Sequence, residues 1–495
     1  MMYSRKLTKL DRDIDQAESY TAYKEACLEY DALSGNDDWK EENASHDYDY
    51  KLIEKRLKRI RNARESDNIS NLMYILHEGI HGNLGNIANP SLYEKSKCGT
   101  KKLIEAFLEE ICESLAHIYH SDSPDITFYD KLSFFEDTSH AYGQSCLMLS
   151  GGAGLGFFHS GVIKTLIDQK LLPNVISGAS AGSIIAGILG TKPDDELEPV
   201  FSPEYIFDLF NQWGSLNKLF EPSLLDPTNL ENSLIRLFDL TTFEEAWQKT
   251  GRDINITVSP ADIHQHARML NARTSPNAVI TQAVRASCAI PFMFEPVQLK
   301  AKNEQGDIVP YVPNRKFADG SIMADLPINR LSRLYGVNHS IVSQTNPLAV
   351  PFLSRSRKKT SGILSLTTRH LTRMAKENSI FMCDVVENML PDSSVNTRLG
   401  IHKFRAIIDQ QYVGDINILP PRNLLNLKRA ISNPSIESIA TLMRQAERAT
   451  WPQVEQIRNT TRISFAFQKY LKLLKAEENK KLSLPANNVI PLTGS

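Results

Sequence analysis

Residues 174–183 read Asn174-Val175-Ile176-Ser177-Gly178-Ala179-Ser180-Ala181-Gly182-Ser183. The β-branched pair Val175 and Ile176 marks a short strand, and the apolar residues from Ser183 to Leu189 mark a helix. Between them lies a Gly-x-Ser-x-Gly turn, placed where a nucleophile elbow needs it. So tight a turn holds its serine in strained backbone geometry, and side chains at Gly178 and Gly182 would collide with the neighbouring chain. The helix N-terminus behind Ser180 offers N–H groups and positive potential to a developing anion. Small-residue turns into helices are common, so the motif gains weight only from its context.

Upstream, Cys146-Leu147-Met148-Leu149 is a second short strand signal, ending in Ser150-Gly151-Gly152-Ala153-Gly154-Leu155-Gly156. A helical stripe follows, with Val162, Ile163, Leu166 and Ile167. Ile254-Asn255-Ile256-Thr257-Val258 and His339-Ser340-Ile341-Val342-Ser343 add two strands downstream. Strands alternating with helices predict an α/β core over residues 144–346, its strand-end loops gathered at one edge. The glycine run fails the dinucleotide fingerprint, because Ala153 stands where the second glycine belongs, or Phe157 where the third does. It also lacks the Gly-Lys-Ser/Thr of a nucleotide-triphosphate loop. A strand–glycine loop–helix instead points backbone N–H groups at an oxyanion.

A serine hydroxyl needs a base. In the order Ser…Asp…His, the candidate imidazoles are His339, His370 and His402, with His339 foremost. The alternative is a direct Ser–Asp dyad using Phe317-Ala318-Asp319-Gly320-Ser321. A carboxylate in a dry pocket is more basic than in water and can serve without an imidazole. The plain reading of Asp319 is an Asx-turn residue.

The 495 residues carry a formal net charge of −2, with 41% hydrophobic and 23% charged residues. That is a globular composition of roughly two to four domains, without the basic footprint of a dedicated nucleic-acid binder. Six cysteines without a CxxC pair point to a reducing compartment rather than a disulfide or zinc framework. No signal-peptide apolar region and no run of about 18 apolar residues is visible. Residues 1–143 read as a helical N-terminal domain, its clearest stripe being Leu103, Ile104, Phe107, Leu108, Ile111, Cys112 and Leu115. Residues 347–475 read as a helical C-terminal region and residues 476–495 as a frayed tail. Arg355, Arg357, Lys358, Lys359, Arg369, Arg373 and Lys376 form an acid-free basic stretch, suited either to water or to an anionic lipid surface. Trp213, Leu216, Leu219 and Phe220 suit core packing or an acyl-chain channel. His117 with Asp122, and His120 with Asp125, have a HxxxxD spacing that chance supplies among twelve histidines. His264 and His266 lack a third metal ligand, and His159 reads as packing beside the glycine loop.

Loop, elbow and distant Asp-Gly together resemble the patatin-like phospholipases. Trp39, Tyr48-Asp49-Tyr50, His81-Gly82-Asn83-Leu84-Gly85-Asn86 and Gly99-Thr100-Lys101 resemble the N-terminal domain of the fungal lipid-droplet triacylglycerol lipases. Ala286-Ser287-Cys288-Ala289-Ile290-Pro291, Val342-Ser343-Gln344-Thr345-Asn346-Pro347 and Tyr412-Val413-Gly414-Asp415-Ile416 are similar to the same branch. The resemblance implies a patatin-like sheet flanked by helices, with Ser180 as acyl-forming nucleophile and Asp319 as base. It implies oxyanion donors at Gly152, Ala153 and Gly154, with Gly151, Gly156, Gly178, Gly182 and Gly320 as the motif glycines. It implies a hydrolase of glycerolipid acyl esters, triacylglycerol foremost. Phospholipase A or lysophospholipase activity, or a silent lipid-surface binding protein, are the alternatives. No metal or organic cofactor is implied, and the expected setting is intracellular, peripheral to a membrane or lipid droplet. Two departures stand out. Ala153 replaces a glycine, which asks for a negative φ there, and Ser321 replaces a small apolar residue without expected effect on the dyad.

Overall fold

The computed structural model of the chain describes residues 2–211, 227–262, 265–290, 294–346, 413–421 and 435–483. It divides into two compact units, residues 145–454 and residues 1–144 together with 455–495.

The larger unit is built on a mixed seven-stranded sheet. β1 (Gln144–Leu149), β2 (Val175–Gly178) and β3 (Asp253–Pro260) run parallel, with Cys146 beside Val175 and Val175 beside Asp253. β4 (Arg268–Leu270) pairs antiparallel with β3. β5 (Lys300–Lys302) and β6 (Ile308–Pro310) form a separate antiparallel pair. β7 (Phe317–Asp319) pairs antiparallel with the end of β3, setting Asp319 beside Val258. β8 (Val337–Ser343) lies next to β1, and β9 (Ile416–Ile418) runs parallel to β8. β1 and β2 are buried almost throughout and their apolar residues fall in runs, Cys146 to Leu149 and Val175-Ile176. β3 is buried too, yet it alternates Ile254, Ile256 and Val258 with buried Asn255, Thr257 and Ser259. The strands predicted near 146, 175, 254 and 339 lie within β1, β2, β3 and β8.

The unit does not close at residue 346. β9 extends the sheet, and the helix Ile436–Thr450 packs along the helix Phe157–Asp168. A capping box on Ser435 and Ser438 starts that later helix. The expected C-terminal region is therefore divided between the two units. The helix Val454–Ser483 also runs through the boundary expected at residue 475. Trp213 to Phe220 and the basic stretch 351–376 lie outside the described residues.

In the smaller unit, the helices Tyr50–Glu65, Ile69–Gly79, Lys102–His120 and Phe128–Tyr142 bury Ile60, Leu72, Phe107 and Phe135 in one core with Phe467. Side chains of Asp49, Asn68 and Thr127 cap three of these helices. The Lys101 ammonium is buried, donates to the carbonyls of Trp39 (2.6 Å) and Glu42 (2.7 Å), and lies 4.2 Å from the Trp39 ring centre. Those carbonyls close the helix Asn36–Glu41, so the cation satisfies a helix C-terminus. His117 contacts Asp67 at 2.9 Å rather than Asp122. No helix among the described residues is long and apolar enough to cross a membrane.

Candidate active site

β2 runs directly into Ser180, which has φ +49° and ψ −122° and stands at the N-terminus of the helix Ala181–Thr191. A side chain at Gly178 would press into the Gly182 carbonyl, and one at Gly182 into the Leu149 carbonyl, so both positions need glycine for close approach. The elbow is fixed by backbone bonds: Ala179 N–H donates to Leu149 O (3.1 Å) and Gly182 N–H to Ala179 O (2.9 Å). Ser287 completes it. Its hydroxyl accepts the Ser180 N–H (2.9 Å) and donates to Thr257 O (2.8 Å). The Ala286-Ser287-Cys288 segment is thus what holds the strained backbone of Ser180.

Asp319 ends β7, buried to 2% exposure. One carboxyl oxygen accepts both the backbone N–H and the hydroxyl of Ser321, each at 2.8 Å. Burial raises its pKa to about 6, while hydrogen bonds from Ser321 and from the Ser180 hydroxyl pull the other way. Ser321 is therefore not neutral to the pair, as the sequence suggested. It holds one oxygen of the carboxyl.

The glycine loop meets both groups. A side chain at Gly151 would lie 3.2 Å from Ser180 Cβ and 2.9 Å from Ser321 Cβ. The N–H groups of Gly152, Ala153 and Gly154 have no acceptor among the described residues, in line with the first turn of the short helix Ala153–Gly156. Ala153 has φ +46°, against the expectation of a negative value. Its methyl is exposed, so the left-handed backbone is strained but unobstructed. Ala153→Gly is expected to raise unfolding stability by about 0.5–1 kcal/mol with hydrolysis retained, read from the denaturant midpoint at constant m-value.

A polar cradle holds the loop from beneath. The Gly151 N–H donates to Asp325 Oδ1 (2.7 Å), and Asn346 Nδ2 donates to Asp325 Oδ2 (3.2 Å). Asp325 is 1% exposed, and burial, aided by the charge of Asp319, lifts its pKa to about 7. Thr345 donates its N–H to Ser150 Oγ (2.7 Å) and its hydroxyl to Gly151 O (3.2 Å). Buried His159 lies 2.9 Å from Ser150 O through Nε2 and 2.7 Å from Ser343 Oγ through Nδ1. Burial lowers its pKa to about 4, so it stays neutral, with the proton on the nitrogen facing the carbonyl. Sequence reading missed Asp325. The one available signal was a carboxylate in the apolar Ile322-Met323-Ala324-Asp325-Leu326-Pro327 segment just after Asp-Gly. Asp325→Leu leaves the Gly151 N–H unpaired, and is expected to lower kcat about 10–100-fold with little change in KM. A matching rise in KM alone would count against that role.

His339 does not join the pair. Its Nδ1 is 3.1 Å from Ser145 Oγ, at the start of β1, whereas the loop leaves the other end of that strand, about 17 Å away at strand rise. Burial lowers its pKa to about 4. His370 and His402 lie outside the described residues.

Comparison with known proteins matches these units. The patatin-like phospholipase family matches residues 147–331, and a domain of unknown function (DUF3336) matches residues 1–140. Triacylglycerol lipase ptl3 of Schizosaccharomyces pombe is 30% identical over 94% of this chain and 98% of its own length. Triacylglycerol lipase 4 of Saccharomyces cerevisiae is 34% identical over 94% of this chain and 53% of its own length. Triacylglycerol lipase SDP1L of Arabidopsis thaliana is 32% identical over 86% of this chain and 54% of its own length. The chain spans about half the length of these last two relatives. With a relative matched almost end to end and the family signature lying across the sheet, the chain belongs to the patatin-like phospholipase family.

Proposed function

We propose that the protein is a serine acyl hydrolase that cleaves fatty-acyl esters of glycerolipids, triacylglycerol foremost, by a Ser180–Asp319 dyad. Asp319 takes the Ser180 proton as the oxygen attacks the acyl carbon. The tetrahedral oxyanion rests on the N–H groups of Gly152, Ala153 and Gly154. Collapse expels the glycerol-side alcohol, which leaves with the proton from Asp319. Asp319 then takes a proton from water, hydroxide attacks the acyl-serine, and the fatty acid departs as Ser180 is reprotonated.

The observation that carries this reading is the hydrogen-bonding interaction of a strained elbow serine with a buried, basic carboxyl, while His159 and His339 are engaged elsewhere. The preference for triacylglycerol rests on the relatives, which bear the name triacylglycerol lipase. A peripheral position on an intracellular lipid surface is part of the proposal. It is supported by the basic sequence stretch 351–376 and by the thiols of Cys98, Cys112, Cys146 and Cys288, none of which is in a disulfide.

Lipid-class profiling with purified enzyme tests it. Triacylglycerol hydrolysis is expected to exceed that of phosphatidylcholine and lysophosphatidylcholine, with the Ser180→Ala protein as blank. Faster phospholipid cleavage reassigns the substrate to a phospholipase. No turnover in any class makes the protein a silent lipid-surface binder.

A further inference from the structure

On the β4 edge of the sheet lies a cavity of about 460 Å³, lined by Gln265, His266, Arg268, Thr274, Tyr311 and Arg330 among others. None of the active-site residues described above lines it. Its charge is one-sided. Neither Arg268 nor Arg330 makes an ion pair with a carboxylate among the described residues. Arg268 stacks its guanidinium 5.8 Å from the Phe317 ring centre, and Arg315 donates to the Gln265 amide oxygen at 3.3 Å. Arg330 is half-buried, and burial alone lowers its pKa, with no acid to offset it. A half-buried guanidinium without a counter-charge is costly to hold, and two such groups around one concavity leave donor forks turned to whatever enters.

The cavity is also close to the chemistry. Arg268 and Asp319 both sit opposite Val258, on its two sides. Directly opposed residues share a sheet face, so the arginine and the carboxyl project to the same side, about 10 Å apart across two strand spacings.

We propose that this cavity is a binding site for a phosphate-class anion, held between the guanidinium groups of Arg268 and Arg330. The planar fork of arginine matches phosphate oxygens in pairs, and the hydroxyls of Thr274 and Tyr311 stand nearby as further polar groups. The anion is either a free phosphate monoester or the headgroup of a phosphate-bearing lipid, and the site's chemistry is the same for both.

The test uses the full chain carrying Ser180→Ala, so that hydrolysis plays no part and the proposed activity is not at stake. Inorganic phosphate and glycerol 1-phosphate are titrated calorimetrically. Flotation is measured on phosphatidylcholine vesicles with and without phosphatidic acid. Binding in at least one arm is expected, weakened about tenfold or more by Arg268→Gln and by Arg330→Gln, and unchanged by Lys472→Gln, an exposed cation of the helix Val454–Ser483. Saturable titration assigns the free anion, whereas flotation confined to phosphatidic acid vesicles assigns the lipid headgroup. Should a glutamine variant fail to fold, Arg330→Lys keeps the charge without the fork and is still expected to weaken binding. No binding in either arm, or binding indifferent to these substitutions, overturns the proposal.

Discussion

Ser180→Ala is expected to lower ester hydrolysis by on the order of a million-fold, to the level of buffer, and to abolish labelling by a fluorophosphonate probe. The substitution removes the only atom that forms the covalent bond in the proposed cycle. It leaves the scaffold in place. The Ser180 N–H still meets Ser287 Oγ, and Ala179 N–H still meets Leu149 O. The strained φ of +49° is imposed by those bonds and persists with alanine. One hydrogen bond to Asp319 is lost, so that carboxyl rises further in pKa. The melting temperature is therefore expected to shift by only a few degrees. Equal labelling of wild type and variant would move the nucleophile to another residue.

What the one-dimensional pattern revealed, and what it hid, follows from the range of the forces involved. Burial on both faces favours apolar runs such as Cys146 to Leu149, and a strand-to-helix turn that grazes a neighbouring carbonyl must be glycine at Gly182. Such constraints are local and appear as runs and spacings. The cradle beneath the loop is different. Gly151 and Asp325 stand 174 positions apart, and Ser150 and Thr345 stand 195 apart. The apolar neighbours of Asp325 mark it as buried but do not say which backbone group it meets. The family pattern makes the position of Ser321 small and silent, yet its hydroxyl donates to the carboxyl two residues back. Ala153 in place of a family glycine asks for a negative φ, but the loop holds a left-handed backbone there. The extent of the larger unit is hidden for the same reason. The helix Ile436–Thr450 is amphipathic like any surface helix, and its sequence does not say that its partner is the helix after the glycine loop.

Asp319→Asn is expected to reduce hydrolysis by about 10³–10⁴-fold, because an amide cannot accept the serine proton. His339→Gln, by contrast, is expected to leave the rate near wild type, since that ring is engaged with Ser145 at the far end of β1. The pH dependence separates the dyad from a protein that merely needs an intact pocket. Asp319 has a pKa raised by burial to about 6, so wild-type kcat/KM should climb as pH passes from 5 to 7 and level off above. Stability should run the opposite way. The folded state binds protons at Asp319 and Asp325, near pH 6 and 7, that the unfolded chain releases near the ordinary aspartate value of 3.8. Their contribution is thus fully present below about pH 4 and is lost as pH rises through the folded-state values. Activity gains across the window in which these two groups withdraw their stabilisation. That is the signature of a base kept in its reactive form by an unfavourable site. Asn at 319 should remove its share of both slopes, leaving Asp325 to titrate alone in denaturant midpoints measured from pH 4 to 8. A variant that keeps a tenth of the activity, or whose stability profile matches wild type, would remove Asp319 from the mechanism.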